Sequence, residues 1–211
     1  ISAPDSADLL QAASWSVTDS LPYDSTYLDG KFGAWLEGNA VVTPDGNVAD
    51  LLRVDYAPGP EYAALIRLRD SVSFDPFDPE KDFVRMPGGA KKFTVRYDSL
   101  SDHYWSLVNY VTQEWAGKQN PAWVRNTLAL SSSPNLQEWT VHRTVLHHPD
   151  IAKHGFQYAD WLFDGNDIVL LSRTAYDDNG TGAHNCHDAN YMTFHRIKDF
   201  RKALTEQAGN R

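Results

Sequence analysis

One pattern of β-strands and polar turns recurs three times along the 211-residue chain, and this repeat constrains the fold more than any other feature. Each repeat opens with a hairpin that has a polar turn and continues through a connection to a third strand. The opening strands begin near Trp35, Lys92 and Phe156, about sixty residues apart. Helix-type spacing of apolar residues is nearly absent until the last residues. The pattern therefore predicts an all-β fold.

Alternating apolar and polar residues place the strands. They cover residues 35–42, 48–54 and 62–68 in the first repeat, 92–97, 104–111, 125–130 and 139–146 in the second, and 156–163, 168–175 and 190–196 in the third. A short closing helix is predicted at 199–206. Successive small antiparallel sheets are typical of a β-propeller, which has one four-stranded sheet per blade. The ordered recurrence of the turns favours this fold over a β-sandwich.

A second signal concerns how much of a ring the chain contains. The turn at 132–139 combines serines, Asn135, Leu136 and Trp139, and residues 2–15 repeat it loosely up to Trp15. Residues before Trp35 are thus interpreted as the end of an earlier blade, and the third repeat lacks an obvious outer strand. Residues 1–211 are predicted to be one partial propeller region of about three four-stranded blades. Because propellers close with 4–8 blades, upstream blades or another chain are expected to complete it.

Composition excludes several classes of function. The net charge is −9 and no Lys/Arg-rich run is present, which argues against a nucleic-acid partner. No apolar run reaches the length of about 20 residues that spans a bilayer. Cys186 is the single cysteine, so an internal disulfide is excluded. The segment 184–188 contains two histidines and this cysteine, but its spacing matches no strong zinc pattern. We expect no metal site there and no cofactor.

Strand order predicts which polar residues share a face. In an antiparallel blade, the start of the first strand, the end of the second and the start of the third lie at one end. Carboxylates in apolar surroundings need a partner or a function, and the two that meet this description are candidates for catalysis: Glu37 and Asp160. The candidates for substrate binding are Asn39, Arg53, Lys92, Arg125, Asn126, Gln157, Tyr158, Arg173, His187 and Asn190. Trp115 and Trp123 either stack on sugar rings or pack the second loop. His147, His148 and His154 are expected to be exposed.

Seven segments together resemble one known family. They are residues 35–39 (Trp-Leu-Glu-Gly-Asn), 87–94, 104–109, 125–130, 155–161 (Gly-Phe-Gln-Tyr-Ala-Asp-Trp), 172–175 and 187–191. Nearly the whole chain resembles bacterial sialidase-like proteins with Asp-box repeats, many of them known as neuraminidase-type glycosyl hydrolases. The resemblance implies a secreted or periplasmic propeller with an arginine triad, a Tyr/Glu nucleophile pair and an Asp acid/base. The usual Phe-Arg-Ile-Pro start is not present, and Asn135 and Leu136 stand in a loosened Asp box.

Three functions follow as hypotheses. The first is a glycoside hydrolase that cleaves a terminal sugar of a glycan, with acidic sugars included, and uses Glu37 and Asp160 as its two carboxyl groups. The second is a polysaccharide lyase on a similar propeller, in which Tyr158 or His187 removes a proton beside a uronate and an arginine neutralises the carboxylate. The third is a carbohydrate-binding propeller without catalysis.

Overall fold

The computed structural model describes residues 1–56 and 59–208. The β-strands of these residues form three antiparallel sheets in chain order. The first contains β1 Ala34–Val42, β2 Val48–Asp55, β3 Tyr62–Leu68 and β4 Phe83–Arg85. The second contains β5 Val95–Asp98, β6 His103–Asn109, β7 Thr127–Ser133 and β8 Thr140–His147. The third contains β9 Gly155–Asp164, β10 Asp167–Ala175 and β11 Tyr191–Ile197.

The predicted all-β architecture of small antiparallel sheets is confirmed. Within each sheet the strands are neighbours in chain order, and the third sheet has three strands, as expected for the repeat without an outer strand. The one strand that the sequence analysis missed is β4. It has only three residues and follows a single helical turn, so its apolar alternation is too short to recognise.

Helical structure is confined to single turns and the C-terminus. The elements are Ala12–Ser14, Tyr27–Gly30, Pro79–Asp82, Pro121–Trp123, Phe200–Lys202 and Ala203–Ala208. The last two correspond to the predicted closing helix. Among the described residues, no helix is long and apolar enough to cross a membrane.

Two hydrophobic cores join the sheets face to face. One lies between the first and second sheets and includes Leu51, Leu65 and Val108. The other lies between the second and third sheets, where Trp105 and Trp161 are at most 2 % exposed and Phe200 of the C-terminal turn packs among them. Burying a large apolar side chain contributes about 1.5–3 kcal/mol, so these cores fix the order and spacing of the sheets.

The first strands of the first two sheets approach each other, and β9 packs against the second sheet. Register places Ala34 at the start of β1 opposite Asp55 at the end of β2, and Arg53 opposite Ala63 near the start of β3. Arg173 near the end of β10 likewise lies opposite Gln157 near the start of β9. These pairings place the start of β1 beside the end of β2, and the end of β10 beside the start of β9.

The outer face of the third sheet carries large exposed apolar side chains. Leu171 on β10 pairs with Phe194 on β11, and these residues are 49 % and 62 % exposed. Met192 and Leu162 extend the same face and are also exposed. Large exposed apolar patches are uncommon on monomeric proteins.

In each of the two turns predicted to be equivalent, a tryptophan indole donates to a leucine carbonyl, three residues earlier in one turn and six residues earlier in the other. The Trp139 indole donates to the Leu136 carbonyl at 3.0 Å, and the Trp15 indole donates to the Leu9 carbonyl at the same distance. The predicted outer strand before Trp35 does not form: the β-pairing within residues 1–33 is a single isolated bridge between Ser2 and Ser16. Leu9 also stays exposed, since no second sheet covers it.

Candidate functional site

Three arginines from three successive sheets lie at the same end of the molecule. Arg53 comes from β2, Arg125 lies two residues before the start of β7, and Arg173 comes from β10. Arg53 donates to Glu37 at 3.0 Å and to the Ala90 carbonyl at 2.8 Å. Burial lowers the pKa of Arg125, and the charge of Arg53 lowers it further. The charges of Arg53 and Arg125 thus repel each other.

Arg125 is buried without an anionic partner. The residue is 5 % exposed, and it donates to the Ala122 carbonyl at 3.0 Å and to the Gln157 side-chain oxygen at 2.7 Å. Among residues 1–56 and 59–208, no carboxylate forms an ion pair with Arg125 or Arg173. Because arginine keeps its charge in proteins and a buried charge without a counter-ion is costly, this arrangement suits an anionic ligand.

Tyr158 lies between two of these arginines. The Arg173 guanidinium carbon is 4.9 Å from the Tyr158 ring centroid, and that of Arg125 is 5.8 Å away. The strand pairing of β9 with β10 is irregular here, since Asp160 pairs with Leu171 but Gln157 pairs with Arg173. This irregularity inserts an extra residue, and Tyr158 adopts a left-handed φ of 50°. Such bulges re-aim side chains, which accounts for the position of the ring.

The Tyr158 hydroxyl faces a histidine. It lies 3.5 Å from His187 Nε2, and His187 Nδ1 lies 3.3 Å from an Asp188 carboxylate oxygen. The order phenol, imidazole and carboxylate permits proton movement away from the phenol. Tyr158 is thus the side chain at this site that has both cations and a potential proton acceptor around it.

Gln157 organises the loop that supplies His187. Its side chain is fully buried, and its amide donates to the carbonyls of Cys186 at 3.0 Å and His187 at 2.6 Å. Arg173 donates to the same His187 carbonyl at 3.1 Å. A Cβ atom at Gly155 would lie 2.3 Å from the Cys186 carbonyl oxygen, so only glycine permits this close approach.

The two predicted catalytic carboxylates have different surroundings. Burial acts to raise the pKa of Glu37, but hydrogen bonds and the charges of Arg53 and Lys92 hold it below 4.5 overall. Glu37 is therefore ionised at neutral pH and suits the role of a base or nucleophile. Asp160 is 72 % exposed and pairs with Arg96 at 3.3 Å, outside the arginine cluster.

Four predicted binding residues hold backbone groups instead of facing the arginines. Asn39 exchanges two hydrogen bonds with the Val95 backbone, and Lys92 donates to the Gly38 carbonyl. Asn126 donates to the His148 carbonyl, and Asn190 binds the Tyr176 backbone through both its oxygen and its nitrogen. These contacts join neighbouring segments. A role for these residues in ligand binding stays a prediction.

The sequence analysis missed a buried ion pair beside the cluster. Lys91 is fully buried and forms an ion pair with Glu61, which also accepts from the Gly88 amide at 2.9 Å. Lys91 donates further to the Pro121 carbonyl at 3.0 Å. Burial lowers the pKa of Lys91 and Glu61 opposes that shift. Glu61 immediately precedes β3, a position equivalent to those of the predicted residues, and this equivalence was the available signal.

The turn Pro121–Trp123 is anchored by the site itself. Its three carbonyls accept hydrogen bonds from Lys91, Arg125 and the Cys186 thiol, the last at 3.5 Å. Trp123 is 58 % exposed at the rim. Its backbone is thus anchored to residues of the arginine cluster, and its ring is exposed.

The side chain of His154 is buried against neighbouring rings, and the residue is only 4 % exposed. Its imidazole stacks on that of His148 with the centroids 3.5 Å apart, and the Tyr176 ring packs edge-on against both. The expectation that His154 is solvent-exposed is therefore wrong, because stacking and Tyr176 enclose its ring.

The order and packing of the sheets can be compared with solved structures. An alpha-L-arabinanase from Penicillium chrysogenum, solved with arabinobiose, aligns with a TM-score of 0.50 at 12 % identity over 84 % of this chain and 49 % of its own. The chain has a β-propeller fold. An alpha-L-arabinofuranosidase from Fusarium graminearum aligns with a TM-score of 0.48 at 9 % identity, covering 84 % of this chain and 48 % of its own. A leech intramolecular trans-sialidase gives 0.47 at 16 % identity, with coverage of 81 % and 24 %.

This propeller spans about half the length of the first two of these structures. No protein-family model matches its sequence, and no curated protein sequence matches it. At these levels of identity the likeness concerns the fold alone.

Proposed function

We propose that this chain is part of a sialidase-like glycoside hydrolase that acts on a terminal sugar bearing an anionic group. The observation that carries the proposal is the buried Arg125, which has no carboxylate partner among the described residues and lies between the arginines of the two neighbouring sheets. Guanidinium groups bind carboxylates through paired hydrogen bonds, so an acidic sugar supplies the missing charge. The arabinanase with the same fold is itself an enzyme of sugar polymers, which supports the reaction class.

In this proposal the residues have distinct roles. Arg125 and Arg173 hold the anionic group of the sugar. Glu37, ion-paired with Arg53, is proposed as the base or as the partner of a nucleophile, and Tyr158, packed against Arg173, is proposed as that nucleophile. Asp160 is the candidate acid; it is exposed, and its partner in the absence of a glycan is Arg96. Glycans of this class occur outside the cytoplasm, so we propose a secreted or periplasmic protein.

The completion of the ring belongs to the same proposal. A further sheet, from upstream blades or from another chain, would cover the apolar face formed by Leu171, Phe194, Met192 and Leu162. The mass of the protein in solution and the binding of a hydrophobic dye show whether this apolar face is covered. A chain that stays monomeric at high concentration and binds no dye would count against an uncovered face.

A second function is favoured by one specific contact. The approach of Tyr158 to His187 at 3.5 Å would also serve a lyase, which removes a proton beside a uronate carboxylate. Product analysis distinguishes the candidates, because a lyase product contains an unsaturated sugar that absorbs ultraviolet light. A hydrolase releases a saturated sugar, and a binding propeller releases neither.

Glu37→Gln and Asp160→Asn test the hydrolase proposal. Each is expected to lower turnover of an acidic glycoside by about a hundredfold or more with an unchanged melting temperature, as loss of a general acid or base does. Glu114→Gln is a matched control, since Glu114 is an exposed carboxylate of the second loop. Full activity per folded molecule in both variants would assign the chemistry to other residues.

A further inference from the structure

A cavity of about 530 Å³ lies beside the core between the first and second sheets, and none of the residues assigned to the sugar site lines it. Its volume falls within the range of small-molecule sites, about 300–1,000 Å³. The walls are mainly apolar. Met86 belongs to the core, Tyr110 and Trp139 pack against it, and Val111 and Pro121 complete the lining on the side of the second loop.

The charged side chains in this lining are Glu61 and Arg85. Both carboxylate oxygens of Glu61 are occupied, one by the ion pair with Lys91 and the other by the Gly88 amide at 2.9 Å. The charge of Glu61 is therefore balanced. Arg85 is exposed, and no carboxylate in the part of the chain that the structure describes forms an ion pair with it. Its guanidinium carbon lies 6.0 Å from the Tyr62 ring centroid. The cavity thus combines apolar walls with one uncompensated positive charge.

We propose that this cavity binds a small aromatic carboxylate, with its ring against the apolar walls and its carboxylate at Arg85. Tyr110 and Trp139 contribute aromatic side chains to the walls, and Met86 adds a thioether, which makes favourable contacts with aromatic rings. The Arg85 guanidinium offers paired donors that match a carboxylate. A bare sugar is a poorer fit, because its many hydroxyl groups would lose water against apolar walls without gaining hydrogen bonds.

The cavity and the arginine cluster share a wall. Pro121 lines the cavity, and its carbonyl accepts a hydrogen bond from Lys91 at 3.0 Å. Arg125 donates to the carbonyl of the next residue, Ala122. A ligand in the cavity would therefore pack against the turn that also anchors Arg125. The cavity is nevertheless separate from the proposed sugar site, and this inference does not depend on the proposed function.

The test is calorimetry of the full chain with indole-3-acetate and with its neutral counterpart, indole-3-acetamide. One equivalent of the acid is expected to bind with a Kd below about 1 mM, and the amide at least about fivefold more weakly. Arg85→Met is expected to raise the Kd of the acid by about fivefold or more and to leave the Kd of the amide unchanged, because only the acid uses the charge. Ala116→Phe places a ring in the cavity and is expected to raise both Kd values by about tenfold or more. Ala116 is exposed, so this substitution leaves the fold intact. Arg143→Met is the matched control, since Arg143 is exposed and does not line the cavity.

Binding of the acid that both variants weaken and the control leaves unchanged supports the site. Absence of saturable binding at one equivalent would overturn it. Equal affinity for the acid and the amide, or an unchanged Kd of the acid in Arg85→Met, would overturn the assignment to a carboxylate. Binding that survives Ala116→Phe but is lost in Phe194→Ser would place the ligand on the apolar face of the third sheet and overturn the cavity as its site.

Discussion

Replacing Arg125 by methionine separates an anion-binding role from a structural one. The change removes a buried charge while keeping most of the side-chain volume. Two acceptors, the Ala122 carbonyl and the Gln157 side-chain oxygen, lose their donor, at about 1–3 kcal/mol each. Relief of the desolvation penalty of an unpaired buried ion, several kcal/mol, acts in the opposite direction. We therefore expect the free energy of unfolding to change by no more than about 2 kcal/mol.

Ligand binding is expected to respond much more strongly. Losing one partner of a buried, hydrogen-bonded charge pair costs about 2–5 kcal/mol, or a rise in Kd of about thirtyfold to several thousandfold. Calorimetry with an acidic monosaccharide measures Kd, and chemical denaturation measures stability. Arg143→Met is the control, since Arg143 is exposed and donates only to the Lys198 carbonyl. Unchanged affinity in Arg125→Met, or a loss of stability well above 2 kcal/mol, would refute the reasoning.

Two further predictions concern the rim and the C-terminus. Trp123→Ala should raise KM for an extended glycan by about fivefold to a hundredfold, because stacking of about 1–3 kcal/mol is lost. KM for a monosaccharide substrate should be unaffected, and an equal rise for both substrates would contradict the prediction. Arg201→Met should destabilise the fold by about 2–4 kcal/mol at neutral pH, because the buried Asp98 carboxylate loses its counter-ion and keeps only the hydrogen bonds from Ser101. Burial acts to raise the pKa of Asp98, but hydrogen bonds from Arg201 and Ser101 hold this pKa below 3.8, its value in the unfolded chain. The stability that the Asp98 carboxylate contributes in the wild type is therefore present above pH 3.8 and is lost as the pH falls through the lower pKa of the folded state. Denaturation curves at several pH values should show that loss, and a pH-independent difference between the two proteins would contradict it.

Strands with regular alternation could be predicted from the sequence, and those set by their neighbours could not. The strand predicted at 62–68 is observed as Tyr62–Leu68. The strand predicted to start at Lys92 begins instead at Val95, because Lys92 donates to the Gly38 carbonyl in the first sheet. A contact with another sheet thus sets this boundary, and single-sequence periodicity contains no information about it.

At the candidate site, too, some features could be predicted from the sequence and others could not. Strand order alone brings Arg53, Arg125 and Arg173 to one end, which is why their common location could be predicted. The direction in which the Tyr158 side chain points depends on a bulge in β9. The alternation of apolar and polar residues along the sequence cannot reveal such an inserted residue. The burial of His154 depends on its stacking with His148 and Tyr176, contacts that no local pattern encodes.

The anchoring of the turn Pro121–Trp123 has a consequence for how this protein can diversify. Lys91, Arg125 and Cys186 bind its three carbonyls from three directions, so its position does not depend on the chain that leads into it. Insertions or deletions between residues 111 and 119 would leave the backbone of the turn in place, since closing a longer loop costs little extra free energy. Across relatives we expect the length of the loop before this turn to vary. The loop could then adapt to glycans of different size while the arginine cluster keeps its geometry.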